Sequence, residues 1–301
     1  MKNLVIFCEK LLTKTYSRNI AYIVLTILLL ILANLFKGSN FIDSSLEEII
    51  LTANNLLIFL LPAIVIDAIS PHRKWFSSGI NIDRFALRDF FIGMFFGIGG
   101  IGLLALVGLF FGAEVVIVEI DIRKFLKSTF WIFNDATVEE LIFRGFIFQN
   151  IFRKNNSNFI ILFSSLLFAF LHFLAQPFVL ILFINTFLAG ILFCLMYVKT
   201  KSLWLPISFH FFWNWTMFNI FNRTLDITSV LDFGSHTVVN FIFFTVETEL
   251  IHLFFGYNSG FESGLLCSIL LILLMVVTVT KIKPSYRINA QWFKEEYCNK
   301  C

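Results

Sequence analysis

Long apolar runs recur along the chain and restrict its fold more than any other feature. Apolar residues make up 58% of the sequence, mean hydropathy is +0.85, and 41 residues are Phe. Soluble domains are typically about half apolar. In hydrocarbon every backbone polar group must be bonded within the protein, so helices and closed barrels are the structures that span a membrane. The length of these runs predicts an all-α integral membrane protein.

Eight runs are long enough to cross ~30 Å of hydrocarbon as helices. They lie near residues 20–36, 49–69, 87–111, 128–152, 157–176, 178–198, 203–221 and 263–280. The fourth run differs from the others because it contains charged residues. No internal repeat and no linker divides the chain. We therefore expect a polytopic bundle of about eight transmembrane helices in which residues 1–301 form a single membrane-embedded domain.

The positions of Lys and Arg predict the orientation of this bundle. Short cytoplasmic loops are enriched in these residues. If the N-terminus is inside, 17 of the 23 Lys and Arg residues fall on the cytoplasmic side. We therefore expect a multi-pass protein with both termini in the cytoplasm and the lipid bilayer as its surroundings. This asymmetry accounts for the net charge of +3, and it gives no reason to expect a nucleic-acid partner.

Polar residues outside the runs offer few candidates for chemistry. Cys298 and Cys301 form a lone CxxC, and a zinc site of that type needs a second pair. Glu249 and His252 have the Glu-x-x-His spacing of a metal-binding bundle, but their segment, 222–262, has no matching partner. We therefore predict that Cys298 and Cys301 are reduced and bind no metal, and that the segment 222–262 contains no metal site.

Two adjacent glutamates and an arginine lie inside the fourth run, where ionisable groups are costly and suggest function. Glu140 and Arg144 are four residues apart and share one face of a helix, whereas Glu139 is rotated from them by ~100°. We expect Glu140–Arg144 to form a structural ion pair. An unpaired carboxylate at Glu139 suits a general base. The alternative is that both acids only line a polar interior or a cation path.

Two histidines complete the set of candidates. His172 lies late in the fifth run, and a single histidine on an apolar helix is often only a buried, hydrogen-bonded residue. His210 and Asn214 are four residues apart on one face of the seventh run. They can orient a water or a carbonyl oxygen, or they can form an interhelical hydrogen bond. Their depths in the predicted helices would let them meet Glu139 near mid-membrane.

Taken in order, these residues resemble the CPBP family of intramembrane proteases, which includes the type II CAAX prenyl endopeptidases and bacterial Abi proteins. The motifs are Glu-Glu-x-x-x-Arg from Glu139 to Arg144, Phe-x-x-x-His from Phe168 to His172, and His-x-x-x-Asn from His210 to Asn214. The approach to the last motif, residues 187–207, is also similar. The resemblance covers a motif-bearing protease core of about residues 125–220.

The resemblance implies a role for each residue. Glu139 and His172 would activate a water, His210 and Asn214 would form the oxyanion-stabilising side, and Glu140 and Arg144 would support the site. Glu, His and His are also a ligand set that suits catalytic zinc. Zinc bound through Glu139, His172 and His210 is therefore a candidate cofactor, although the chain has no His-Glu-x-x-His zincin helix.

The sequence is therefore interpreted as an intramembrane endopeptidase that hydrolyses a peptide bond with a Glu/His-activated water. The resemblance implies a peptide or protein substrate, membrane-anchored or prenylated, and a location in the plasma membrane of a bacterium. Two alternatives stay open. One is a non-catalytic immunity or scaffold protein of the same fold, and the other is a proton- or cation-coupled transporter that uses the same carboxylates.

Overall fold

The computed structural model describes residues 79–80, 82–112, 114–117, 122–148, 157–173, 178–221, 239–242, 253–256 and 260–283, with a few isolated positions before residue 66. These residues are largely helical, as predicted. The α-helices are α1 (Ala86–Phe110), α2 (Ile122–Glu140), α3 (Ser157–His172), α4 (Leu180–Thr200), α5 (Trp204–Trp215) and α6 (Leu265–Lys281). Helix α2 continues as a π-helix over Leu141–Phe148, α5 continues as a π-helix over Thr216–Ile220, and a 3₁₀ turn at Phe261–Ser263 precedes α6.

Two of the described helices, α1 and α4, are long and apolar enough to cross a membrane. Two further apolar helices, Asn158–His172 and Leu265–Lys281, are shorter. All four coincide with predicted runs. The runs near 20–36 and 49–69 lie almost entirely outside the described residues. The count of eight spans therefore stays a prediction.

Two short strands interrupt the helical pattern, and the hydropathy pattern did not predict them. Strand β1 (Glu114–Ile117) pairs antiparallel with β2 (Val239–Ile242), with Glu114 opposite Ile242 and Ile117 opposite Val239. Each strand has only four residues, and the partners are more than a hundred residues apart in the chain. No short hairpin turn links them, so their pairing leaves no local signal in the sequence.

Particular residues mark the ends of the apolar helices α1 and α4. The side chain of Asp83 accepts a hydrogen bond from the backbone of Phe85 at 2.8 Å, just before α1. Helix α1 ends at Phe110 and is followed by Gly112, whose φ of +92° is accessible to glycine at little cost. Helix α4 ends at Thr200 and is capped by Lys201, a non-glycine residue with φ 53°. That conformation is uncommon for a residue with a Cβ atom.

Helix α1 packs closely against α5 through glycines. A Cβ atom on Gly93 would lie 2.6 Å from the carbonyl oxygen of Leu205, and one on Gly97 would lie 2.7 Å from the backbone nitrogen of Trp213. Small residues at this spacing let two helix backbones approach each other in a membrane. The contact fixes the rotation of α5, the helix that carries His210.

The N-terminal end of α2 is joined to the C-terminal end of α5 by hydrogen bonds. Ser128 donates to Oδ1 of Asn219 at 2.6 Å, and Trp215 Nε1 donates to Thr129 Oγ1 at 2.9 Å. Helix α2 begins at Ile122. The basic residues before the predicted fourth span are thus part of the same continuous helix.

A single apolar cluster holds α1, α4, α5 and α6 together. Its fully buried members include Ile101, Leu192, Leu205 and Phe209. The opposite faces of several helices expose large apolar side chains, as lipid-facing surfaces do. Among the most exposed are Phe95, Leu106, Phe170 and Leu273.

Candidate active site

The glutamate pair lies where the backbone changes from an α-helix to a π-helix. Helix α2 ends at Glu140, and the widened turns begin at Leu141. The i,i+4 spacing of Glu140 and Arg144 was interpreted as that of a regular α-helix, so this change is a correction. Single π-helical turns inside helices are frequent at functional sites. The widening occurs where buried Arg144 bonds both within its own helix and across to α4.

Glu140 and Arg144 form the ion pair that their spacing predicts. Arg144 Nη1 donates to Glu140 Oε1 at 2.9 Å, and both side chains are 0% exposed. Arg144 Nη2 donates to the backbone oxygen of Gly190 at 3.1 Å. The guanidinium also lies 4.6 Å from the ring centre of Phe168 and 4.8 Å from that of Phe193. Aromatic faces and a carbonyl thus replace water around this cation.

Gly190 makes this arrangement possible, and the spacing of the motifs did not reveal it. A Cβ atom on Gly190 would lie 2.9 Å from Cβ of Ser165 on α3. Only a glycine lets α3 and α4 approach so closely, and the approach brings the Gly190 carbonyl to Arg144. Gly190 could have been noticed in the sequence, because it lies in the segment 187–207 that resembles the family.

His210 is oriented by the second glutamate. Its Nδ1 lies 3.1 Å from Glu140 Oε1. Its ring stacks on Phe193 with centres 4.8 Å apart and planes inclined by 24°. A carboxylate oxygen accepts hydrogen bonds, so Nδ1 carries the proton and donates. Glu140 therefore binds Arg144 and His210 at once, and Nε2 of His210 faces away from it.

His172 is oriented by its own helix. Its Nδ1 donates to the carbonyl oxygen of Phe168 at 2.8 Å, and the two rings lie 4.3 Å apart. Because the carbonyl can only accept, the neutral ring has an unprotonated Nε2. The Phe-x-x-x-His spacing thus has two physical consequences, a ring contact and a fixed tautomer.

Glu139 lies between the two imidazoles. Its Oε2 is 3.6 Å from His172 Nε2 and 3.9 Å from His210 Nε2. Both distances exceed those of a direct hydrogen bond. Oε2 is buried and, among the described residues, has no hydrogen-bond partner. The Glu139 side chain is 32% exposed and that of His172 is 33% exposed, whereas His210 is 8% exposed. One carboxylate oxygen and two ring nitrogens therefore converge at a partly open position.

Asn214 lies one turn beyond His210 and is half-buried. Within the described ranges its side chain makes no hydrogen bond or ion pair with Glu139, Glu140, His172 or His210. The structure thus brings five of the six predicted side chains together and leaves Asn214 next to them. Its part in the site stays a prediction.

Glu262 is an acidic residue near the site that the motifs did not reveal. Oε1 of Glu262 accepts a hydrogen bond from Trp213 Nε1 at 2.8 Å. The side chain of Asn185 donates to the backbone oxygens of Glu262 and Gly264, at 2.7 and 3.0 Å. Glu262 is far from the three motifs in the chain and has no recognisable spacing from them. Its proximity is a consequence of tertiary structure alone.

Zinc bound through Glu139, His172 and His210 stays a prediction. Among the described residues, no three or more His, Cys, Asp or Glu side chains are arranged as a metal site. His252 and Cys298 lie outside those residues, so the predictions made for the long segment and for the C-terminal tail are untested.

The fold and the site together define a class: a helical membrane protein in which one glutamate faces two oriented histidines beside a buried ion pair. Residues 122–216 match the family described as type II CAAX prenyl endopeptidase Rce1-like. The match covers about a third of the chain and includes all three motifs. No curated protein and no solved structure matches the chain.

The chain therefore contains a type II CAAX prenyl endopeptidase Rce1-like domain, and the resemblance to the CPBP family is confirmed. Proteins of this family are embedded in membranes. The two long apolar helices of the structure agree with that setting.

Proposed function

We propose that this protein is an intramembrane endopeptidase that hydrolyses a peptide bond with a water activated by Glu139 and His172. The observation that supports this proposal is the convergence of Glu139 Oε2 with the Nε2 atoms of His172 and His210. The match to a family of CAAX-type proteases supports it independently.

The residues suggest a sequence of proton transfers. Glu139 and the unprotonated Nε2 of His172 are both acceptors, so a water donating to them has a polarised oxygen. That oxygen attacks the peptide carbonyl carbon while Glu139 takes the proton. The tetrahedral intermediate then breaks the C–N bond, and the proton on Glu139 passes to the leaving nitrogen. One water is consumed, and a carboxylic acid and an amine are formed, between which a proton then passes to give a carboxylate and an ammonium group.

His210 and Asn214 would stabilise the oxyanion. For His210 this role requires a proton on Nε2, because Nδ1 already donates to Glu140. A ring held by Glu140 and by stacking on Phe193 is a preorganised donor, which is the property that makes oxyanion sites effective. The amide of Asn214, one turn further along α5, would supply a second donor.

Glu140 and Arg144 would act through His210. Each is fully buried, so neither touches the partly open position beside Glu139. Their contribution is to hold the imidazole in one orientation and to join α2 to α4.

The proposed substrate is a membrane-anchored peptide or protein, with a prenylated C-terminus as one form. We further propose a multi-pass protein of the bacterial plasma membrane with both termini in the cytoplasm. The asymmetric distribution of Lys and Arg supports this orientation. Reporter fusions at residues 40 and 301 test it, because the two positions should lie on opposite sides of the membrane.

The decisive experiment measures peptide cleavage by the purified full chain in detergent. Glu139→Ala and His172→Ala should each lower kcat by at least ~100-fold, since a positioned acid or base contributes 10² or more. Thr137→Ala, two residues away on α2, is the matched control and should keep wild-type activity. Undiminished cleavage in both site variants would remove the assignment. A cation or proton flux in liposomes that Glu139→Gln abolishes, without any proteolysis, would favour a transporter instead.

Metal dependence is tested in the same assay. Zinc held by Glu139, His172 and His210 is proposed as a candidate cofactor, and activity that is lost on dialysis against a strong chelator and restored by added zinc would support it. Cleavage that persists after dialysis would instead leave water activation to Glu139 and His172 without a metal.

A further inference from the structure

Helices α1 and α6 form an open groove on the outside of the bundle. They approach each other at Gly100, where an added Cβ atom would lie 3.5 Å from Cδ2 of Leu270. From that contact the groove extends toward Arg88, near the N-terminal end of α1, and Lys281, at the C-terminal end of α6. The cavity between them has a volume of about 600 Å³. This is within the usual size range of small-ligand sites.

The wall of this groove is apolar. Phe91, Ile92, Phe95 and Phe96 line it from α1, and Val277 and Ile282 line it from the other side. Phe91 is 54% exposed and Phe95 is 72% exposed. Exposed aromatic side chains of this size on a membrane-embedded bundle suit contact with a hydrocarbon chain.

The end of the groove away from Gly100 is basic. Arg88, Lys281 and Lys283 line it there. Arg88 is bound to Asp89 at 2.7 Å. Lys281 and Lys283 are exposed, and the described part of the chain places no carboxylate in contact with either. Two positive charges are thus available at one end of an apolar channel.

We propose that this groove binds one anionic glycerophospholipid, with its headgroup phosphate on Lys281 and Lys283 and an acyl chain along Phe91 and Phe95. The charge selects an anion, and the apolar wall selects a lipid over a free phosphate. The separation of Arg88 and Gly100 along α1 is roughly 18 Å at ~1.5 Å per residue, comparable to one leaflet's acyl chain. Basic pockets between transmembrane helices are known to bind anionic headgroups.

Binding of acyl-chain-labelled dansyl-phosphatidylglycerol to the purified full chain tests the proposal, with dansyl-phosphatidylcholine as the neutral lipid. The wild type should bind the anionic lipid more tightly. In the Lys281→Gln/Lys283→Gln double variant, the affinity for the anionic lipid should fall about tenfold or more, because each basic residue contributes ~1 kcal/mol. Affinity for the neutral lipid should not change. Soluble glycerol phosphate should not compete.

Arg84→Gln is the matched control. Arg84 is at the same end of α1 and stacks on Phe85 at 4.7 Å, but it does not line the groove. The variant should keep the preference for the anionic lipid. If Arg84→Gln weakens binding of the anionic lipid as much as the loss of one groove lysine does, the lipid is attracted by the whole basic surface and not by the groove. The proposal then fails.

A second variant tests the apolar part. Val277→Trp should fill the groove and weaken binding of both lipids, with an unchanged thermal midpoint. Equal affinity of the wild type for the two lipids, or full binding by Val277→Trp, would overturn the proposal. Both measurements are independent of protease activity.

Discussion

At the scale of single residues, the site depends on the different surroundings of two adjacent glutamates. Glu140 is fully buried between Arg144 and His210, whereas Glu139 reaches a partly open position beside both imidazoles. The spacing of Glu140 and Arg144 predicted the ion pair. It did not predict that Glu140 also orients His210, because that contact joins residues 70 positions apart.

The buried pair gives a prediction about stability. Arg144→Met should lower the free energy of unfolding by about 3–5 kcal/mol, because it leaves a buried carboxylate without its partner. Adding Glu140→Gln should recover part of this loss. Chemical unfolding in detergent measures both variants, with Thr137→Ala as a control for changes on the same helix. An Arg144→Met protein as stable as the wild type would show that the pair contributes little.

Lys201 gives a prediction about pH. Desolvation by burial lowers the pKa of Lys201 from 10.5 to about 7. Folding therefore disfavours the charged amine. The penalty is complete below about pH 7 and is lost as the pH rises toward 10.5, where the unfolded chain also releases its proton. The contribution of Lys201 should thus make the protein more stable as the pH rises through this window.

Lys201→Met tests this effect without changing the left-handed backbone. Its thermal midpoint should exceed that of the wild type at pH 7, and the difference should shrink at pH 9.5. Lys201→Gly should add a further gain at both pH values, since glycine adopts φ 53° at no steric cost. A difference between wild type and Lys201→Met that is the same at both pH values would contradict the pKa argument.

At the scale of elements, the contact of α1 with α5 positions the histidine. Gly97 faces the backbone of α5, where an added Cβ atom would lie 2.7 Å from Trp213 N and 2.8 Å from Phe209 O. Backbone atoms cannot move aside as flexible side chains can. Gly99 is on the same helix, and a Cβ atom there would meet nothing within 4 Å. The two glycines look alike in the sequence and differ only in what they face.

Gly97→Ala should therefore destabilise the protein by about 1–3 kcal/mol, as overpacking does, and reduce cleavage by displacing His210. Gly99→Ala should leave both properties unchanged. Thermal unfolding and cleavage assays on the two variants provide the comparison. Equal behaviour would mean that α1 and α5 are not held by this close approach.

At the scale of the whole molecule, a segment near the C-terminus contacts the domain that matches the family, residues 122–216. Asn185 on α4 holds the turn before α6, and that turn places Glu262 against Trp213. Glu262 lies outside residues 122–216, where the family match ends. The site is therefore bordered by a segment that the motifs do not include.

Substitution of Glu262 tests whether its hydrogen bond with Trp213 holds the turn before α6 in place. Glu262→Ala leaves the buried indole N–H of Trp213 without an acceptor and should cost about 1–3 kcal/mol of stability. Glu262→Gln keeps an acceptor oxygen and should cost clearly less. Thermal unfolding in detergent compares them. If the two substitutions have equal effects, the hydrogen bond is not what holds the turn.

The sequence by itself determined the helical class, the membrane setting and the candidate residues, because hydrophobic run length and i,i+4 spacing are local properties of the chain. Only the tertiary structure decided which polar atoms meet. The convergence of Glu139 with two histidines, the second bond of Glu140, the Gly190 carbonyl on Arg144 and the approach of Glu262 all join separate helices. Such contacts follow from how α2, α3, α4 and α5 pack, and no local spacing encodes that packing.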